Sequence, residues 1–448
     1  MTAKEKNPVD LKQAIDHRPM TLSQWLIVVM ATILMMTEGY DVQAMAFTST
    51  AVEADLGLNA SQLGLALSAG LVGMMIGTAT IGPFADRFGR RPVLLVALLA
   101  NLVFMLLTAT SSSIAELLTW RVLTGIAIGG TLTTGIVLVS EFANVKYRAL
   151  ALAIYSSGFP IGATIGGLVA VPVIANYSWQ GVFLLGGFIT LAAVVAVIFI
   201  MPESIDTLAI HHHKGDAKAL PKTEAIARRL GITGQIQLPP VNLDKGNSAN
   251  TYKRLFTPEY RGRTLKLWVV YFLVLSCFYF VSSWTPRLMT EIGLTAEQGI
   301  YGGMTIMAGG IVGNVFYGLC SARWDPRRVM AVFGLITAGL MVTFASTTSW
   351  VGIALTTGLI LGAFINGCMA GLYTLAPRSY PADMRSTGVG TAMGVGRIGS
   401  VIAPALVGWL LEAGLTPISM FIGFAVVIVV PALLAPSLAQ HRDVKRVD

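Results

Sequence analysis

The stretch Gly82-Pro83-Phe84-Ala85-Asp86-Arg87-Phe88-Gly89-Arg90-Arg91-Pro92 joins two long apolar runs, and a second basic joint follows at Gly318, through Ala322-Arg323-Trp324-Asp325-Pro326-Arg327-Arg328. Gly82 and Gly318 stand 236 residues apart. Gly125 with Gly362, Arg148 with Arg385 and Gly162 with Gly399 each stand 237 apart. A nearly constant offset over four regions marks an internal duplication. The chain therefore reads as two copies of one unit, and the apolar runs around the joint define that unit.

Twelve such runs are visible, at about 21–48, 61–83, 92–110, 114–140, 148–174, 178–201, 263–290, 297–321, 328–346, 350–376, 386–411 and 416–437. Each is near the roughly 20 residues that cross a bilayer as a helix. Composition agrees: of 448 residues 54% are hydrophobic and 12% charged, with a mean hydropathy of +0.70, whereas soluble domains carry about 25% charged residues. The runs are too long for barrel strands of about 10 alternating residues. The expected fold is an all-α polytopic membrane protein with 12 transmembrane helices in two six-helix halves. Its parts are an N-tail (1–20), an N-terminal half (21–201), a central loop (202–262), a C-terminal half (263–437) and a C-tail (438–448). The polar first 20 residues do not resemble a cleavable signal peptide. Within the central loop, PKTEAIARRLGI (221–232) reads as a short amphipathic helix on the membrane surface.

Of 31 Lys and Arg residues, all but Arg121, Arg287 and Arg397 fall in the tails and in alternate connections on one side. The positive-inside bias makes that side, with both termini, cytoplasmic. Topology and anionic lipid then account for the net charge of +8, which gives no reason to expect nucleic-acid binding. Cys277, Cys320 and Cys368 lie in apolar runs, which excludes a secreted disulfide framework. The five histidines lie in polar segments far from them, so no metal site is expected; His211, His212 and His213 read as a solvated loop.

With the repeat in place, the joint at 82–91 resembles the signature loop of the major facilitator superfamily. Arg121, Gly125 and Gly129 resemble its fourth-helix motif, and Pro202-Glu203-Ser204 its exit from the sixth helix. Parallel six-helix repeats around a mid-membrane site are the architecture of that superfamily. More narrowly, Glu38-Gly39-Tyr40-Asp41 is similar to the D-G-x-D pattern of the aromatic acid:proton symporters, with Glu38 where the family usually has Asp. Ser283-Trp284-Thr285-Pro286 and Gly394-Val395-Gly396-Arg397-Ile398-Gly399 also look like that family. The resemblance implies import of a benzoate-like acid with a proton, by a monomer in a bacterial cytoplasmic membrane.

Charges inside spans are costly and mark pathways or relays. Four stand out: Glu38, Asp41, Arg121 and Arg397. Glu38 and Asp41 are three apart and share a helix face. Counted from the span ends, Asp41 and Arg121 sit roughly 10 Å deep from the outside, and Glu38 and Arg397 near mid-membrane. The simplest pairing is Asp41 with Arg121, leaving Glu38 to face the cavity near Arg397. The four charges sum to zero, so an organic anion entering this low-dielectric site is balanced by one co-bound proton. With no intramembrane histidine, the proton belongs to Glu38 or Asp41, with Arg121 as the partner. Arg397, Arg121, Glu38, Asn314, Phe278, Tyr279, Trp284, Asn366 and Tyr373 are the candidate substrate contacts, the aromatics supplying flat walls for a ring.

The glycines at 394–399 match G-x-G-x-x-G, but inside an apolar helix they serve close packing, so no nucleotide cofactor is expected. No enzyme motif is present. Asp86, Arg87, Arg90, Arg91, Glu141 and Arg148 cluster at cytoplasmic helix ends as a candidate gate, with a carboxylate set against the positive end of the eleventh helix. Alternatives to import of an aromatic carboxylate are proton-coupled symport of a non-aromatic organic acid, export, or a receptor that does not transport.

Overall fold

The computed structural model describes residues 9–232, 234, 236–238, 248–347, 350–381 and 384–438; the side chains at 83, 86, 248–251 and 386 are outside that description. The expected C-tail, apart from its first residue, and the first eight residues of the N-tail also lie outside it.

In chain order the elements are β1 (Val9–Asp10), α1 (Leu11–His17), α2 (Leu22–Leu56), α3 (Ala60–Phe88), α4 (Arg90–Ala109), α5 (Ile114–Phe142) and α6 (Arg148–Ile200). There follow α7 (Ile205–His213), α8 (Ala219–Arg229), β2 (Ile236–Gln237), α9 (Ser248–Leu255) and α10 (Pro258–Glu291). The chain ends with α11 (Ala296–Arg323), α12 (Pro326–Ser346), α13 (Val351–Arg378), α14 (Arg385–Glu412), α15 (Pro417–Leu434) and a 3₁₀ turn. Eleven helices are long and apolar enough to span a bilayer. At 53 residues α6 is about 80 Å long if straight, far more than the roughly 30 Å hydrocarbon core. It is two spans: Ser178, at φ 67° and ψ 179°, breaks the helical path between them. Counting both limbs of α6 gives the twelve expected crossings.

The duplication is visible as matched glycines at helix crossings. A Cβ on Gly73 or Gly125 would overlap backbone of the facing helix in the α3–α5 pair, and one on Gly309 or Gly362 would do so in the α11–α13 pair. Gly162 of α6 lies on the Met36 carbonyl of α2, and Gly399 of α14 on the Phe272 carbonyl of α10. Small residues permit this approach where lipid offers no hydrophobic drive to associate. The capping boxes repeat too: Asn59–Gln62 opens α3 and Thr295–Gln298 opens α11.

Three boundaries differ from expectation. The helix passes through Pro83 to Phe88, so most of the basic joint is helical, and the turn is confined to Gly89 at φ 106°. The first span continues to Leu56, which brings Asp41, like Glu38, close to the middle of α2. The central segment is structured: α8 covers the amphipathic stretch, and the histidines expected in a loop form the last turn of α7. Buried Leu11 and Ile15 of α1 share one apolar cluster with Leu208, Ala219, Ile226 and Ala227, set against Phe142 and Val197 of the N-terminal half. β1 and β2 pair in parallel, Val9 with Ile236.

The halves meet at the ends of the spans remote from α1 and α7. Glu53 of α2 is bonded to Arg287 of α10 (Nη2–Oε1 2.8 Å), and Asn59 donates to Glu412 (3.3 Å). Gly64 of α3 lies on Pro404 and Gly408 of α14, and Ser68 donates to the Val401 carbonyl (2.8 Å). Among the described residues no hydrogen bond or ion pair joins the halves at the opposite ends of the spans, where α1 and α7 lie.

Candidate functional site

Gly39 sets α2 directly on the Phe159 carbonyl of α6, which fixes the face carrying Glu38 and Asp41. Both carboxylates are buried, at 4% and 1% exposure. Arg121 reaches Asp41 from α5, its Nη1 donating to Oδ1 at 2.7 Å and its Nη2 to the Asp41 carbonyl at 3.1 Å. Gly70 of α3 makes room for the guanidinium, since a Cβ there would stand 3.3 Å from Nη2. The Phe183 ring lies 5.6 Å from the guanidinium carbon, a cation–π contact. Among the described residues Asp41 Oδ2 is buried without a hydrogen-bond partner of good geometry, and Asn101 of α4 is close enough to interact with the carboxylate. A carboxylate with one oxygen held and one unpaired can take up a proton on the free oxygen without first losing its arginine.

The C-terminal half contributes a different arrangement. Gly396 and Gly399 bring α14 against Tyr271 and Phe272 of α10. Arg397 then donates from Nη1 to the Tyr279 hydroxyl at 3.2 Å. It makes no ion pair among the described residues; Glu38 of the opposite half is close enough to interact with its charge. Tyr373, five residues before the end of α13, lies near Arg397, Tyr279 and Glu38 and is 53% exposed. Tyr155 of α6, absent from the sequence-derived candidates, is buried beside Glu38 and Tyr373, its hydroxyl donating to the Leu132 carbonyl (3.3 Å). The result is one arginine and one carboxylate, from opposite halves, among three tyrosines. A guanidinium with donors to spare can take a carboxylate through two parallel bonds, and the phenol rings offer it a flat boundary.

The other sequence candidates are placed as follows. Phe278 is buried edge-on to Tyr279, with ring centroids 5.2 Å apart, so it buttresses that tyrosine. Trp284 is fully buried and donates to the Pro404 carbonyl (3.0 Å), which commits it to packing α10 on α14. Asn366 donates to Gly362 within its own helix (2.9 Å) and lies against Gly310. Asn314 is half-buried on α11 with no side-chain hydrogen bond among the described residues.

The described candidate gate residues, at the ends of α3, α4, α5 and α6, are engaged by their own half, by α1 and by the start of the central segment. Glu203 accepts from the backbone N–H groups of Arg90 and Arg91 (2.8 and 3.2 Å), capping α4. Arg90 approaches Glu141 (3.6 Å), which also accepts from Ser204 and from the Ile205 amide at the start of α7. Arg91 donates to the Ile198 carbonyl (2.5 Å), and the Arg87 carbonyl lies 3.1 Å from His211 Nε2. Arg148 pairs with Asp16 of α1 (2.5 Å) instead of reaching toward α14. Asp86, the carboxylate expected to face α14, has its side chain outside the described residues. Glu203 was readable in sequence as a helix exit, but its capping role depends on a fold that returns it to the start of α4.

The family model described as Major Facilitator Superfamily matches residues 25–319 and, again, 267–446. The chain is 32% identical to the 4-hydroxybenzoate transporter PcaK of Acinetobacter baylyi, over 98% of this chain and 97% of that protein. It is 32% identical to a gallate transporter of Pseudomonas putida, over 91% and 90%, and 29% identical to the 3-(3-hydroxy-phenyl)propionate transporter of Escherichia coli, over 92% and 93%. Among solved structures it resembles the D-xylose-proton symporter, with a TM-score of 0.70 over 92% of this chain and 97% of that one, at 16% identity.

Proposed function

The chain belongs to the major facilitator superfamily, and on that footing we propose that it imports a small aromatic carboxylate together with a proton, by alternating access across a bacterial cytoplasmic membrane with both termini inside. The observation that carries this reading is Arg397: a mid-helix cation held by Tyr279, without an ion-pair partner among the described residues, with Tyr373 and Glu38 of the opposite half nearby. The names of the relatives point to hydroxylated benzoates as the substrates to try first.

In this mechanism the substrate carboxylate docks on Arg397 and its ring lies against Tyr279, Tyr373 and Tyr155. The added negative charge in a low-dielectric site favours uptake of one proton, on Asp41 at its unpartnered oxygen or on Glu38 one turn away. Neutralising Asp41 weakens its hold on Arg121 and frees the N-terminal half to change its packing. Two carboxylates this close titrate as a pair, so the proton belongs to both until mutants separate them. In the outward-facing state the outer contacts at Glu53–Arg287 and Asn59–Glu412 separate. The cytoplasmic group of Asp86, Arg87, Arg90, Arg91, Glu141 and Arg148 then draws the inner ends together.

The test is uptake of radiolabelled 4-hydroxybenzoate into proteoliposomes under an imposed proton gradient. Accumulation above equilibrium that a protonophore abolishes supports the reading. Binding without accumulation replaces it with a receptor, equal uptake of a non-aromatic acid moves the substrate class, and gradient-driven efflux reverses the direction.

A further inference from the structure

Each half carries a crevice on its lipid-facing side near the cytoplasmic end, and the two are related by the repeat. The N-terminal one, about 430 Å³ between α3, α4 and α5, is apolar throughout, with Phe84, Phe88 and Pro92 at its inner rim. The C-terminal one, about 580 Å³ between α11, α12 and α13, has an apolar floor including Val332, Ile336 and Phe364. Val96 and Val332, and Ala100 and Ile336, occupy matched positions at the 236-residue offset. The rims differ. Where the first crevice has Pro92, the second has Arg328, and Arg323 joins it on the same rim.

Both arginines are exposed and neither has an ion-pair partner among the described residues. The nearby carboxylate is already taken: Asp325 is held by Arg327 (Nη2–Oδ2 2.7 Å), whose Nη1 also donates to the Leu438 carbonyl (3.1 Å). The same hydrogen-bonded arginine keeps the Asp325 carboxyl below its usual range, so it stays ionised and bound to Arg327. Trp324, 65% exposed at this joint, has the position of an interfacial anchor, and exposed Val315 and Leu319 mark the lipid side. In the N-terminal half Arg87, the counterpart of Arg323, lies against the Phe88 ring at 5.3 Å.

We propose that the crevice between α11, α12 and α13 binds one anionic glycerophospholipid, with an acyl chain along its apolar floor and its phosphate between Arg323 and Arg328. Bilayer hydrocarbon is as apolar as the crevice, so the chain contributes fit more than affinity. Selectivity comes from the head group, at about 5-fold per arginine near the surface and about 30-fold for both.

The full chain in detergent is titrated with phosphatidylglycerol or with phosphatidylcholine of the same acyl chains, and bound lipid is counted by native mass spectrometry. One phosphatidylglycerol is expected to be retained preferentially. R323Q and R328Q each lower that preference about 5-fold, the pair about 30-fold, and R323K/R328K keeps most of it. Val332→Trp, which fills the crevice and leaves both arginines, also removes it. A folded R323Q/R328Q or Val332→Trp protein with undiminished preference would overturn the proposal. So would equal retention of the two lipids, or displacement by glycerol 3-phosphate at the concentration at which phosphatidylglycerol binds.

Discussion

The two halves share a backbone and divide the charge. In the N-terminal half three cations are met by acids: Arg121 by Asp41 at mid-helix, Arg90 by Glu141, and Arg148 by Asp16 of the N-tail. In the C-terminal half, among the described residues, Arg397 has a tyrosine hydroxyl and no carboxylate partner, and Arg323 and Arg328 have no ion-pair partner beside an Asp325 already bound to Arg327. Four glycine crossings recur across the repeat, at Gly73 and Gly309, Gly77 and Gly313, Gly125 and Gly362, and Gly162 and Gly399. Duplication has thus kept crossings that control helix approach, while the buried charges differ: Glu38, Asp41 and Arg121 in one half, Arg397 in the other.

The backbone side of this comparison is the most sensitive to change. Gly125→Val and Gly362→Val each place atoms inside facing backbone, and overpacking of this kind has no flexible neighbour to absorb it. Both are expected to lose most monodisperse protein in detergent size-exclusion chromatography, and to similar extents; survival of one would show that the halves do not depend equally on these crossings.

The charge side is tested by the two arginines. Arg397→Gln should leave the fold intact and weaken substrate binding by about 2–5 kcal/mol, on the order of 30-fold to several-thousand-fold. Arg121→Gln instead strands a buried aspartate and should cost about 3–5 kcal/mol of stability. Adding Asp41→Asn should restore the melting temperature without restoring coupled uptake. If Arg397→Gln destabilised the protein as Arg121→Gln does, the distinction between a paired and a receptive cation would fail.

Coupling separates the halves more finely. Asp41→Asn should still exchange labelled for unlabelled acid and lose accumulation driven by a pH gradient. Glu38→Gln showing that pattern instead would move the proton one turn along α2. Gradient-driven accumulation retained in both would remove α2 from the coupling. The smallest effect is at the surface: Asp16→Asn releases Arg148 from α1, and a half-exposed pair is worth at most about 1 kcal/mol. Transport should stay within about two-fold of wild type, while tryptic cleavage after Lys12, on the exposed face of α1, becomes faster.

Much of this fold was legible because bilayer length and the repeat offset are one-dimensional signals. The Asp41–Arg121 contact could be anticipated because few buried cations can satisfy a buried acid. Tyr155 and Asn101 were not legible: a tyrosine or asparagine in an apolar run looks like any core residue until the helices turn it toward Glu38 or Asp41. The same ambiguity misplaced Trp284, whose ring serves the α10–α14 contact. Packing of α1 against α7 and α8 escaped notice because short amphipathic segments are individually weak, and only their joint burial makes a surface.

The break at Ser178 has a mechanical consequence. No loop separates the limbs of α6, and the elbow is stapled to α2 by Asp55, which accepts from Trp179 Nε1 (2.8 Å) and Gln180 Nε2 (3.2 Å). A hinge without slack transmits torque. When the outer ends part, the two limbs and the end of α2 must swing as one crank, so spin labels on either side of the elbow should keep a fixed separation while labels across the outer seam move apart.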